Sequence, residues 1–153
     1  MKKTKYTRFV SYTMVMLLAP CNVFAFTTAG YWQIEDEKAI IEFKPCDEKL
    51  CGYLVFIGDF IGKGSNVKDE KNPVLEKRTR SLCNLAFITG LKLDAERYSG
   101  GTLYDPESGE TYDVYLSGNG KEIKMRVYVG LPMLGETIKL IPISAELTKR
   151  CQS

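Results

Sequence analysis

Alternation of apolar and polar residues dominates the chain from Gly30 onward. Its clearest run is Ile123, Met125, Val127 and Val129 interleaved with Lys124, Arg126 and Tyr128, the period-two signature of a strand with one face buried. Tyr112, Val114 and Leu116 repeat the pattern just upstream, and Ser117-Gly118-Asn119-Gly120 supplies residues that tolerate the positive φ of a tight hairpin. These two strands should pair antiparallel. Further back, Asp105-Pro106 followed by Gly109 marks a turn joining a strand near 101–104 to the Tyr112 strand. Gly30–Ile34, 39–44, 50–57, a weaker 85–89 and Glu136–Ile143 complete the set, with Pro142 signalling an edge or a bulge. About eight short strands separated by turns, with hardly any helical periodicity, predict an all-β antiparallel barrel or sandwich. The stretch 145–150 reads as a short helix or a frayed tail. One connection, 58–81, is long and rich in Gly, Ser and Asn, and such loops are frequently covers or binding segments.

The first 25 residues do not fit this pattern. Lys2, Lys3, Lys5 and Arg8 precede an apolar stretch from Phe9 through Leu18 that ends at Val23-Phe24-Ala25, the layout of a secretory signal peptide cleaved after Ala25. Ser11, Tyr12, Thr13, Pro20 and Asn22 leave too few uninterrupted apolar residues for a membrane anchor. A lipoprotein leader with Cys21 as the lipidated residue is the competing reading, and Pro20 just before the cysteine suits it poorly. The expected organisation is therefore a leader at 1–25 and one barrel domain at 26–153, periplasmic or secreted, with no transmembrane segment after cleavage.

Removing that leader reverses the sign of the charge. The whole chain carries 21 basic and 19 acidic residues; the leader holds four of the basic and none of the acidic ones, which leaves 17 against 19. No basic stripe of the kind that displaces counterions from phosphates survives, so nucleic acid is not an expected partner. The chain has no histidine, which excludes Ser-His-Asp and Cys-His catalysis and imidazole metal sites. Asp105, Glu107 and Glu110 crowd into one turn, whereas paired-carboxylate catalysis needs opposed groups across a cleft. Asp69-Glu70 lacks the ligand register of a calcium loop. The expectation is a protein without catalytic residues, metal or cofactor.

Export places Cys46, Cys51, Cys83 and Cys151 in an oxidising compartment. Four cysteines allow three complete pairings. Cys46 and Cys51 flank a short polar run that a tight hairpin brings within bonding distance, which favours their bridge; Cys83 with Cys151 would follow by elimination. There is no Cys-x-x-Cys, and the spacings match no zinc pattern.

Gly30-Tyr31-Trp32 on the first strand resembles the Gly-x-Trp opening of lipocalin-type barrels. In order after it come Cys46 and Leu50-Cys51-Gly52, Asn72-Pro73, and Arg78-Thr79-Arg80-Ser81-Leu82-Cys83. Gly100-Gly101-Thr102-Leu103-Tyr104-Asp105-Pro106 with Gly109 and Tyr112 follow, and then Leu134-Gly135-Glu136-Thr137. From about Gly30 to Leu140 the chain is similar to exported bacterial proteins of the domain of unknown function 2147 family. The resemblance implies a single lipocalin-like (calycin) β-barrel in the envelope of a Gram-negative bacterium, holding a small hydrophobic or amphipathic molecule. Ser81, Asn84, Tyr98 and Leu140 depart from the family pattern where proline, glycine and two tryptophans are more usual, and Glu136 stands where a basic residue is more usual.

Four residues are candidates for contact with such a ligand. Arg78 and Arg80 can fork onto a carboxylate or phosphate, unless Asp69, Glu70 or Glu76 claims them. Tyr104 and Asp105 fall at a strand end near the barrel mouth, although Asp105 is equally suited to capping its own turn. Trp32 is expected to plug one end of the barrel, with a Lys or Arg from a late strand over its ring. The alternative function is an envelope interaction protein that binds a partner through the long loop or a strand edge.

Overall fold

The computed structural model describes residues 28–35, 39–57 and 67–145. Eight strands follow one another in chain order: β1 Gly30–Ile34, β2 Ala39–Cys46, β3 Lys49–Ile57, β4 Ala86–Asp94, β5 Arg97–Asp105, β6 Glu110–Gly118, β7 Ile123–Tyr128 and β8 Glu136–Ile143. Each pairs antiparallel with the next, and β8 returns to β1, so the meander closes into a barrel. Closure leaves no strand edge for a partner to extend, which removes that route from the interaction reading. Among the described residues no helix is long and apolar enough to cross a membrane.

Most of the alternating residues point where the pattern predicts; Val129, the last of the clearest run, instead lies beyond β7 and is 70% exposed. Ile41, Ile88, Leu91, Val114, Leu116, Ile123 and Leu140 are each 0% exposed and form one core with Trp32, Phe43, Leu50, Leu54 and Met125. Burying each of the larger apolar side chains contributes about 1.5–3 kcal/mol. Packing is close even at the inward glycines: a Cβ on Gly52 would stand 2.9 Å from the Phe43 ring, and one on Gly101 2.7 Å from the Leu91 side chain.

Two strands are longer than their alternation suggests, for one shared reason. On β4, Ile88 and Leu91 both face inward although they are three positions apart, because a step of two positions on β3 (Leu50 to Gly52) is matched by a step of three on β4. On β5 the same offset falls between Tyr98 and Gly101. Gly90 (φ 83°) and Gly100 (φ 69°) absorb these bulges in a conformation that favours glycine. Each bulge reverses the phase of the pattern, so a strict period of two loses β4 after Thr89 and misses the start of β5.

Pro142 obeys the strand rule locally. β8 pairs with β7 only over Glu136–Leu140 and with β1 over Leu140–Ile143, so Pro142 sits where the β7 side is open and no ladder donor is lost.

One end of the barrel is closed by tight hairpins. At the first, Cys46 and Cys51 are joined by a disulfide across the Asp47 turn, with Cα atoms 5.8 Å apart. Cys83 is a free, partly exposed thiol whose pKa burial pushes up; Cys151, its expected partner, lies outside the described residues. The leader at 1–25 and the expected tail helix beyond Ala145 also lie outside them. Trp32 is buried, and its Nε1–H donates to the Thr28 carbonyl at 2.8 Å, tying the lead-in of β1 to the core. Among the described residues no cation covers its ring, contrary to expectation. Among the described residues the cations that cover rings are Lys44 over Tyr53, Arg80 over Tyr104 and Arg97 over Tyr115.

Candidate functional site

The other end of the barrel carries the longer connections: the segment between β3 and β4, the β5–β6 turn, and the loop between β7 and β8. The described part of the first, residues 67–85, is a folded cover. A bridge pairs Lys68 with Ser81, the Leu82 amide donates to the Val67 carbonyl, and a 3-10 turn occupies Leu75–Lys77. Its exit is fastened to β3, because the Asn84 amide donates to the Leu54 carbonyl and the Leu54 amide to the Leu85 carbonyl. The cover lends Leu82 and Leu85 to the barrel core.

Asp69, wholly buried, organises this segment. Its Oδ2 accepts from Arg80 Nε and Nη2, each at 2.7 Å, and from Asn72 Nδ2 at 2.8 Å; its Oδ1 accepts from the Tyr104 hydroxyl at 2.5 Å. A buried carboxylate is tolerable only with such compensation, and every donor except Tyr104 belongs to the cover. Tyr104 reaches it from the end of β5, so this bond and the one from Asn72 Nδ2 to the Tyr104 oxygen, 3.0 Å, latch the cover to the barrel wall. The Arg80 guanidinium also stands over the Tyr104 ring at 5.4 Å. Burial, then the hydrogen bond to Asp69 and its negative charge, raise the Tyr104 pKa; Asn72 and Arg80 act against that rise. Beside the latch the Lys71 carbonyl sits so close to Gly109 that a Cβ there would meet it at 2.2 Å.

Three of the four candidate ligand contacts therefore converge. Arg80 and Tyr104 meet on Asp69, and exposed Arg78 donates through Nε to the Asn72 carbonyl at 2.7 Å. Asp105 stands apart: its carboxylate accepts from the Glu107 amide at 2.9 Å and the Ser108 hydroxyl at 2.6 Å, capping its own turn. Glu107 belongs to this turn and Glu110 follows it on β6, where it accepts from the Tyr112 hydroxyl. From the sequence Asp69 stands only as a partner for the arginines and, with Glu70, as a pair without a calcium register; nothing in Lys68-Asp69-Glu70-Lys71 marks it as buried.

The profile of a family described as an uncharacterized protein conserved in bacteria (DUF2147) matches residues 30–140. The chain belongs to the DUF2147 family. Among solved structures, the fold of this DUF2147 chain is similar to one titled "Protein HP1028 from the human pathogen Helicobacter pylori belongs to the lipocalin family". The TM-score is 0.71 and the identity 24%, over 82% of this chain and 90% of that one. That likeness shows the fold, a lipocalin-like barrel. No curated protein matches the chain.

Proposed function

We propose that this DUF2147 protein is an exported, non-enzymatic binding protein that takes up a small hydrophobic or amphipathic ligand at the covered end of its barrel. The observation that carries this reading is the construction of that end. The cover completes the apolar core with Leu82 and Leu85, yet among the described residues the latch that ties it to β5 is the Tyr104 hydroxyl on Asp69 and Asn72. Releasing the latch and lifting the cover opens apolar interior without unpairing a strand. A ligand then occupies space that Leu82 and Leu85 hold in the closed state. Arg78, exposed at the cover, suits the polar head of an amphipathic ligand; Arg80 and Tyr104 serve the latch, and Asp105 its turn. The leader at 1–25 and the Cys46–Cys51 disulfide support a periplasmic or secreted location.

Native mass spectrometry of the mature chain, purified from an oxidising periplasm and then offered palmitate, tests the reading. A stoichiometric added mass that extracts into organic solvent, or saturable palmitate binding that competes with protection of the Leu82 and Leu85 amides from exchange, is expected. A chain beginning at Phe26 that is bare and stays bare with palmitate overturns ligand carriage.

A further inference from the structure

The loop between β7 and β8 has no part in the latch, and it breaks the rule that large apolar side chains go inside. Val129, Leu131, Met133 and Leu134 are 70%, 58%, 79% and 77% exposed, and the stretch Val129-Gly130-Leu131-Pro132-Met133-Leu134-Gly135 contains no charge. A flexible loop would fold these side chains against the barrel, but this one is held out. Arg126 on β7 donates through Nε to the Pro132 carbonyl at 2.8 Å, through Nη2 to the Met133 carbonyl at 3.2 Å and through Nη1 to Thr137 Oγ1 at 2.8 Å. A 3-10 turn at Pro132–Leu134 and bonds from Leu134 N to Leu131 O and Gly135 N to Pro132 O complete the brace. Gly135 passes so near the Val127 carbonyl that no side chain fits there.

The surroundings select the occupant. Among the described residues the guanidinium of Arg126 meets two carbonyls and a hydroxyl and no carboxylate, so a full positive charge lies directly beneath the apolar tip. Across the rim of the same barrel end, by the strand order, the cover presents a second tip, Leu75 at 67% and Val74 at 43% exposed, with exposed Lys71, Lys77 and Arg78 beside it. Among the described residues the opposing charges at this end are Glu70 and Glu76 on the cover, Asp105, Glu107 and Glu110 at the β5–β6 turn, Glu136 at the foot of the β7–β8 loop and Glu35 after β1, which Lys139 pairs, while Asp69 is neutralised by Arg80. Two narrow, projecting apolar tips with cations at their bases match an interfacial layer, in which apolar side chains enter the acyl region and basic groups meet phosphates. A protein partner would instead call for a continuous complementary surface.

We propose that this end of the barrel docks on an anionic lipid surface, with the 129–135 loop inserting and the Leu75 tip as a second contact. The inference stands independently of what the barrel holds.

The test is flotation of the mature chain with vesicles of phosphatidylglycerol and phosphatidylethanolamine, and with phosphatidylcholine vesicles for comparison. Substantial binding to the anionic vesicles is expected, weaker binding to phosphatidylcholine, and a fall of about tenfold or more for the combined Leu131→Ser, Met133→Ser and Leu134→Ser variant. Because those side chains are exposed, the variant should keep the wild-type melting temperature. In a Trp32→Phe background, Met133→Trp should show a blue-shifted emission on vesicles and quenching by brominated acyl chains. Absence of flotation, unchanged flotation of the triple variant, or a Met133→Trp signal unmoved by vesicles each overturns the proposal. A chain that ignores vesicles but forms a dimer abolished by the triple variant overturns it in favour of self-association.

Discussion

The Tyr104 hydroxyl donates a 2.5 Å hydrogen bond to Oδ1 of Asp69, a residue 35 positions earlier in the chain. This contact joins the barrel wall to its cover. The remaining partners of Asp69, namely Arg80 and Asn72, move with the cover, so the latch is separable from the network that stabilises the carboxylate.

Replacing that hydroxyl tests the separation. Tyr104→Phe keeps the ring under Arg80 and deletes the bond, which should cost about 1–2 kcal/mol and raise the exchange rate of amides in 67–85 while the barrel strands stay protected. Hydrogen exchange resolved by segment checks this; uniform loosening of the whole barrel would contradict a local latch.

Alkaline pH should act on the same bond. The Tyr104 pKa is raised in the folded protein above its ordinary value of 10.0, chiefly by burial and by Asp69. Its stabilising contribution is thus complete below that ordinary value and is lost as pH climbs through the raised one. Denaturation midpoints measured from neutrality into this alkaline range should fall more steeply for wild type than for Tyr104→Phe, the difference isolating Tyr104 from the other tyrosines.

Asp105, though adjacent to Tyr104, should behave differently. Asp105→Ala removes a cap of the β5–β6 turn and should cost about 1 kcal/mol, leaving exchange within the cover and palmitate binding unchanged. A loss of ligand binding without a loss of stability would return Asp105 to the site.

The Cys46–Cys51 bridge closes a short loop, a separation of 5. The Cys46→Ser, Cys51→Ser variant should lose about 2 kcal/mol and keep the fold, because β2 and β3 are paired through Cys46 and Lys49 without it. Urea denaturation with and without reductant measures the difference, and reduction should leave the variant unaffected.

Much of the barrel was legible locally. The runs at β6 and β7 alternate without interruption, and the turns after β5 and β6 carry residues suited to them, so their positions follow from period and turn chemistry alone. The family likeness carried by Gly30-Tyr31-Trp32 and the later motifs supplied the architecture that alternation left open between barrel and sandwich. At β4 and β5 local reading failed, since the inward phase there depends on bulges that Gly90 and Gly100 form against each other across the sheet.

What the sequence by itself determined, then, is the two-residue period, the hairpin turns, the short disulfide loop and the absence of imidazole chemistry, all properties of neighbours along the chain. Tertiary structure decided the rest. Closure depends on β1 meeting β8, and the burial of Asp69 depends on Arg80, Asn72 and Tyr104 arriving from separate stretches of chain. The same Lys68-Asp69-Glu70-Lys71 run would be solvated if the cover lay elsewhere, and Val129 to Leu134 would read as core if Arg126 did not hold them out. Burial is set by what packs against a residue, and here that is supplied by residues far away in sequence.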